Sequence, residues 1–470
     1  MAHGIEAAVE QLRAAFAHQF VTPDLEAKFQ QAVAVPWSQT CWTPAAGYVY
    51  LKDSLELTRA VDIIKSTGSK FAVRTTGHNP NAGFSSADRD AIVLDIRQFQ
   101  SKELTSDGVA RVGSGSTWGE VYAWLEGHKL SAIGGRDRQV GLGGFLLGGG
   151  MGALPNLYGL GADGVKNFEI LLADGSLVNA NANENADLHR ALKGGGSNFA
   201  GIVTRFDLET HPLINVQYTI NAYNLDDYVA INKATVAVQK AMEEDSKIGL
   251  FTNYNNGLVA VGMLYGGTPN EPPAAFQQFH ELNSLLMTVL PVTNGTLLSL
   301  AEAMGHVQDS KKRAICTSTT QVSQELYDEV YKYWVDIRNT FPADHVLHYT
   351  IQPMGTAGVQ EGKNRGGNIM GHQIIPQTWW VFTCEWPEDG DDVAAQGAVD
   401  KMLAKVQSLA EERQLLLDYR CMSFAQASQR VLGSYGAENI QRLQDVAAKY
   451  DPEGVFQKLQ HGGFLLRNNV

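Results

Sequence analysis

Val73-Arg74-Thr75-Thr76-Gly77-His78-Asn79 decides how this chain is read. Apolar Phe71, Ala72 and Val73 form a short predicted strand that runs straight into a polar loop turned by Gly77. A histidine in such a loop is ordinarily a solvated or capping residue. Here its meaning depends on what surrounds it. Downstream, glycines crowd positions 113–119, 134–152 and 159–164, and a triplet stands at Gly194-Gly195-Gly196. Glycine lets the backbone approach a ligand closely, with N–H groups free to bind phosphate. One such cluster is a tight turn and nothing more; several at predicted strand ends suit a nucleotide-sized ligand.

The elements around these turns alternate. Tyr48–Leu51, Ala91–Asp95 and Ala110–Val112 read as strands. Residues 53–68 read as a helix with Ser54 as N-cap and Gly68 at its end, and Trp118–His128 reads as another. Residues 4–33 carry apolar positions at helical spacing throughout. Alternating elements of this kind indicate α/β or α+β architecture. The run Gly113-Ser114-Gly115-Ser116-Thr117-Trp118-Gly119 follows a strand and opens a helix, like a dinucleotide-binding fingerprint. Its third glycine is displaced by one position and the downstream acidic residue is missing, which argues against a simple nicotinamide-binding fold. Further on, Leu258–Leu264, His345–Gln352 and Trp379–Trp386 alternate as strands. Segments 225–243, 323–340 and 393–413 read as amphipathic helices.

The bulk properties narrow the partners. With 470 residues, 44% hydrophobic and 19% charged, the chain can bury two large cores. Its 37 basic residues against 50 acidic ones leave a net charge of −13, which disfavours nucleic acid and anionic membranes. Glu6 and Glu10 interrupt the N-terminal stretch where a secretory peptide needs an apolar core. No apolar run approaches the roughly 20 residues of a membrane span. The expectation is a cytoplasmic, intracellular protein. Cys41, Cys316, Cys384 and Cys421 form no CxxC pair, so no metal site is expected.

Taken together, these segments resemble the FAD-linked oxidases of the vanillyl-alcohol oxidase superfamily, in the berberine bridge enzyme-like branch. The likeness is carried by residues 73–79, by Gly113–Tyr122, by Val140-Gly141-Leu142-Gly143-Gly144 with Gly148-Gly149-Gly150, and by Tyr158–Asp163. Lys193–Thr204, Ser434–Asn439 and Tyr450–Phe456 complete it. The resemblance implies an α+β fold. A PCMH-type FAD-binding domain of two α/β subdomains would comprise residues 1–213 and 430–470. A substrate domain with an antiparallel sheet backed by helices would span 214–429. It further implies FAD contacts from Arg74, Thr75, Thr76, Gly77, His78, Asn79, Ser114, Gly135, Val140, Gly141, Gly143, Gly144, Gly149, Gly150, Gly161, Asp163, Ile202, Val203, Tyr435 and Asn439.

By the same resemblance, His78 bonds to the flavin 8-methyl carbon. Members with a second attachment carry a cysteine where this chain has Asp137, so a single covalent bond is expected. Val140 falls where relatives control oxygen access, and its modest size is compatible with O2 as acceptor. The relatives' proton-abstracting set is missing. Met151, Trp379, Val381 and Cys421 stand where that set would be, and Met151, Trp379 and Trp380 are candidate walls of an apolar pocket. Such a pocket suits a hydrophobic substrate. His348, Thr350 and Gln352 share one strand face by alternation, with Tyr349 on the other. Imidazole titrates near neutrality, which makes His348 the candidate base, with Tyr349 and Gln352 beside it. The leading expectation is oxidation of a small organic molecule of secondary metabolism by hydride transfer to flavin N5. The alternatives are a non-redox isomerase or cyclase on the same fold, and a passive flavin-binding protein.

Overall fold

The computed structural model describes residues 2–305, 309 and 311–470. The segment read as one helix over 4–33 is broken. Helices Ala2–Ala15 and Glu26–Val33 flank β1 (Phe20–Val21), which pairs antiparallel with Val49 and Tyr48 of β2 (Gly47–Tyr50). The break has a local cause: Val21 and Thr22 are β-branched, and Pro23 removes an N–H. β3 (Lys70–Arg74) and β4 (Ala91–Asp95) complete a sheet of order β1-β2-β4-β3. β4 is buried at all five positions, as a central parallel strand requires. The helix crossing from β2 to β3 is Ser54–Thr67; its N-cap is Asp53, whose carboxylate accepts from Glu56 N–H, one residue before the expected Ser54.

The second sheet is built from β5 (Lys102–Leu104), β6 (Ala110–Gly113), β8 (Val165–Leu172), β9 (Leu177–Asn181) and β10 (Gly201–Leu208), in the order β5-β6-β10-β8-β9. A short ladder pairs β7 (Leu130–Ser131) with β11 (His211–Pro212). The third sheet has eight antiparallel strands: β12 (Asn215–Tyr223), β13 (Ile248–Asn255), β14 (Leu258–Gly266), β15 (Leu285–Thr296), β16 (Lys312–Gln321), β17 (Val346–Met354), β18 (Gln377–Trp386) and β19 (Leu416–Leu417). Their order is β15-β12-β14-β13-β17-β18-β16-β19. One face of this sheet is covered by helices Tyr228–Ala241, Gln324–Arg338 and Asp392–Glu412, which bury Ile231, Trp334 and Val399 against Tyr254, Tyr349, Trp380 and Phe382. The other face looks toward the glycine-rich loops of the first two sheets. The α+β architecture is the one expected from the sequence. No described helix is long and apolar enough to cross a membrane.

The parallel register of β3 and β4 sets Arg74 beside Asp95. Arg74 is 1% exposed and Asp95 fully buried. The guanidinium donates to Asp95 Oδ2 at 3.0 and 2.9 Å and to the Ala32 carbonyl at 2.8 Å. Arg74 therefore anchors the strand end from which the 75–79 loop departs.

Candidate functional site

Between the glycine loops and the bare face of the eight-stranded sheet lies a cavity of about 810 Å³. That is the upper part of the range for ligand pockets, roughly 300–1,000 Å³. At one end it is walled by backbone. Thr75, Thr76, Gly77, His78 and Asn79 line it from the loop after β3. Gly77 has φ +74°, a left-handed conformation, and a Cβ there would sit 3.1 Å from Pro36 Cα. Gly141, Gly143 and Gly144 line the facing turn. A Cβ on Gly141 would fall 2.6 Å from Thr76 Oγ1, so glycine is what lets the two loops touch. A Cβ on Gly144 would meet no protein atom within 4 Å, leaving its backbone open to the cavity. Ser114, Gly135, Val140, Ile202 and Val203 complete this end. The buried Ser114 hydroxyl has no hydrogen-bond partner among the described residues.

His78 sits where this end meets the sheet. The Trp37 indole stacks on its ring, with centroids 4.6 Å apart and planes 8° from parallel. The Arg313 guanidinium carbon lies 4.1 Å over the same indole. Arg313 comes from β16 and is held by Glu385 and Asp309, each at 2.7 Å, and by the Trp37 carbonyl at 2.8 Å. The imidazole is thus oriented by a stack anchored in the eight-stranded sheet.

At the far end the sheet forms an apolar roof. Phe251, Ile315 and Val381 line it, with Met151, Met304 and Met422 beside them. Cross-strand register sets Asn253, Thr350 and Val381 in one row and His348 with Thr383 in the next. Asn253 Nδ2 lies 3.1 Å from His348 Nδ1, 2.8 Å from Thr350 Oγ1 and 3.4 Å from the Tyr349 carbonyl. A carbonyl only accepts, so Nδ2 is the donor, Nδ1 accepts, and the imidazole proton is assigned to Nε2. Burial lowers the His348 pKa, which keeps the ring neutral. In this arrangement Nε2 is a hydrogen-bond donor; service as a base would require a change of tautomer. Gln352, on the same face, accepts from Arg136.

Residues 45–181 match the family model described as an FAD binding domain. An FAD-dependent monooxygenase of Arthrobotrys oligospora is 34% identical over 94% of this chain and 86% of the relative. The FAD-dependent monooxygenase macF of Penicillium terrestre is 31% identical over 92% of this chain and 83% of the relative. Among solved structures, the glucooligosaccharide oxidase of Acremonium strictum superposes with a TM-score of 0.82, covering 98% of this chain and 99% of that one at 18% identity. The chain belongs to the family of these FAD-dependent monooxygenases, and it shares its fold with berberine bridge enzyme-like and oligosaccharide oxidase structures.

For an FAD-linked oxidoreductase the cavity is well suited. The open glycine backbone and the unpartnered Ser114 hydroxyl are what a pyrophosphate and ribityl chain need, and the apolar roof is what a flat ring system needs. Asp137 lines the cavity too. Several residues expected to touch the cofactor stand elsewhere. Arg74 is spent in the buried pair with Asp95. Gly161 donates to the Gly150 carbonyl at 2.8 Å, and Gly149 packs against Met370. Asp163 accepts from Leu160 N–H and Asn368, both at 2.9 Å, and its burial raises its pKa. Tyr435 donates to the Gly194 carbonyl at 2.8 Å, and Asn439 donates to the Tyr435 carbonyl. These residues brace the turns from behind and do not line the cavity.

The sheet face also redistributes the expected walls. Met151 lines the cavity, but Trp380 lies on the helix-covered face, bonded to Thr320, and Trp379 packs between His372 and Tyr419. Tyr349 stacks on Tyr254 at 4.5 Å under the helices, away from His348 and Gln352. Sequence reasoning missed Trp37, Phe251 and Asn253, which carry no local motif. It also missed Gln460 and Gly462-Gly463-Phe464, which close the cavity from the C-terminus. The glycine pair was a legible signal. Gly463 has φ +132°, and a Cβ there would meet Asn198 Nδ2 at 2.4 Å.

Proposed function

We propose that this chain oxidises a hydrophobic small molecule of secondary metabolism, with FAD held in the cavity by one covalent bond from His78. The supporting observation is the position of His78: its ring is locked by Trp37 at the junction between the glycine loops and the apolar roof. When bound, FAD supplies the hydride acceptor, flavin N5, and O2 serves as the final electron acceptor. Asp137 stands where a second attachment would need a thiol, and a carboxylate forms no thioether, which supports single attachment. Residues 1–213 with 430–470 would hold the cofactor and 214–429 would present the substrate. Phe251, Ile315 and Val381 would exclude water and flank the substrate, while His348 Nε2–H donates to it.

A second reading has one observation in its favour. Asp137 is the one carboxylate lining the cavity among the described residues. An environment with so little basic equipment also suits isomerisation or cyclisation without net redox. The deciding experiment is acid denaturation of wild type and His78→Ala, followed by an O2 electrode assay across candidate substrates. The expected result is yellow polypeptide for wild type, colourless polypeptide for the variant, and substrate-dependent O2 uptake. Flavin released from the wild type would sink the covalent attachment. Turnover to a product of unchanged mass without O2 uptake would establish the second reading instead.

A further inference from the structure

The two most deeply buried arginines of this fold, Arg74 and Arg313, come with carboxylates, as does the partly buried Arg205. Arg74 pairs with Asp95, Arg205 with Glu169 and Asp207, and Arg313 with Asp309 and Glu385. Arg136, partly buried at the cavity, is held differently. It lines the cavity, and among the described residues no carboxylate forms an ion pair with it. Its contacts are one hydrogen bond, from Nη2 to the neutral Gln352 Oε1, and the Phe251 ring, whose centroid is 5.7 Å from the guanidinium carbon. The side chain keeps part of its surface accessible, yet burial lowers its pKa to about 10. The accessible part therefore faces the cavity and not bulk water. A guanidinium has five N–H donors, and one protein bond leaves most of them unused. Gln352 spends its Oε1 on Arg136, and its Nε2 amide makes no protein hydrogen bond among the described residues.

A buried charge without a counter-charge is costly, and a fold that keeps one gains from a ligand that supplies the missing charge. Arg136, Gln352 and Phe251 stand together on the substrate side, where the loop after Gly135 meets β13 and β17. We propose that Arg136 is a substrate-binding residue: the substrate is an apolar molecule bearing one anionic oxygen, a carboxylate or an enolate, which the guanidinium and the Gln352 amide clamp. This rests on the flavoenzyme reading above and adds the charge of the substrate to it. The planar donor fork matches a two-oxygen anion, and the Phe251 ring orients that fork. Orientation follows: the anionic end lies against Arg136 and the apolar remainder under Ile315 and Val381.

The test uses the flavin-loaded enzyme and titrates matched probes by flavin difference absorbance. 2-Naphthoate is compared with neutral 2-naphthamide, and 4-hydroxycoumarin, an acidic enol, with 4-methoxycoumarin. Wild type should bind at least one anion tenfold or more tighter than its neutral twin. The pair that shows the preference tells carboxylate from enolate. Arg136→Gln should abolish the preference, and Arg136→Lys should restore part of it. No preference in the wild type, or no binding of any probe, overturns the assignment without any variant being needed. Preference retained in Arg136→Gln overturns it as well. A shifted flavin reduction potential with unchanged ligand selectivity would set the charge against the flavin instead of the substrate, and would also overturn it. The flavoenzyme reading is checked separately by the bound flavin spectrum and its bleaching on reduction, so its failure would be visible on its own.

Discussion

Replacing Arg74 with Met tests whether the strand end beneath the cofactor loop is held by a buried charge pair. Arg74→Met removes two hydrogen bonds to Asp95 Oδ2 and one to the Ala32 carbonyl, all at 3.0 Å or less. It leaves a fully buried carboxylate behind. Breaking a buried pair by deleting one partner costs about 3–5 kcal/mol. Arg97 still bonds both Asp95 oxygens at 3.0 Å, so the lower end of that range applies, about 3 kcal/mol. For a domain of this size, 1 kcal/mol shifts the melting temperature by roughly 2–4 °C, so a fall of about 6–12 °C is expected. Arg74→Met/Asp95→Leu deletes both buried partners and frees Arg97, which is one-third exposed and can be solvated. The double variant should recover most of the loss. The assay is thermal unfolding at one fixed scan rate, read by circular dichroism and by flavin fluorescence. A single variant melting within 2 °C of wild type, or a double variant no better than the single, would refute the reasoning.

Two further outcomes follow from side chains that the cavity does not use. The Tyr349 hydroxyl is buried with no partner among the described residues, so Tyr349→Phe should raise stability by about 1 kcal/mol. The same variant should leave kcat/KM within about twofold in steady-state assays, since the ring lies beneath the helices; a tenfold fall would return Tyr349 to the site. His372 lies buried against Trp379 and Tyr419, and desolvation lowers its pKa to about 3. The unfolded chain takes up this proton near pH 6.5 and the folded one near pH 3, so the group's contribution is full above pH 6.5 and is lost as pH falls toward 3. His372→Phe removes that penalty. Its melting temperature relative to wild type should rise progressively below pH 6.5, by the equivalent of about 2 kcal/mol at pH 5; a pH-independent difference would contradict the assignment.

Much of this molecule is legible in the chain because the signals are local. The strand-loop at 71–79 is an apolar run meeting Gly77, and the turn at 141–144 needs glycine because a Cβ would strike Thr76. The face shared by His348, Thr350 and Gln352 follows from the two-residue period of a strand. The helix over 4–33 was misread because its apolar spacing continues across Phe20 and Val21, while pairing with β2 takes those two residues into a sheet. Trp379 and Trp380 show the complementary limit. Alternation says they face opposite ways, but which face is roofed by helices and which opens on a cavity is set by distant segments.

The sequence by itself determined the glycine turns, the histidine they surround and the α+β class. Each depends on residue type and spacing within a few positions. Only the tertiary structure decided that Arg74 is consumed in a buried ion pair while Arg136 is not, and that Trp37 stacks on His78 with Arg313, from a distant part of the chain, over the same indole. It also decided that Asn253 meets His348, Thr350 and the Tyr349 carbonyl across the strands. These are facts about partners. A side chain's charge is written in its own codon, but the group that satisfies it arrives from elements tens to hundreds of residues away, and no local pattern records the meeting.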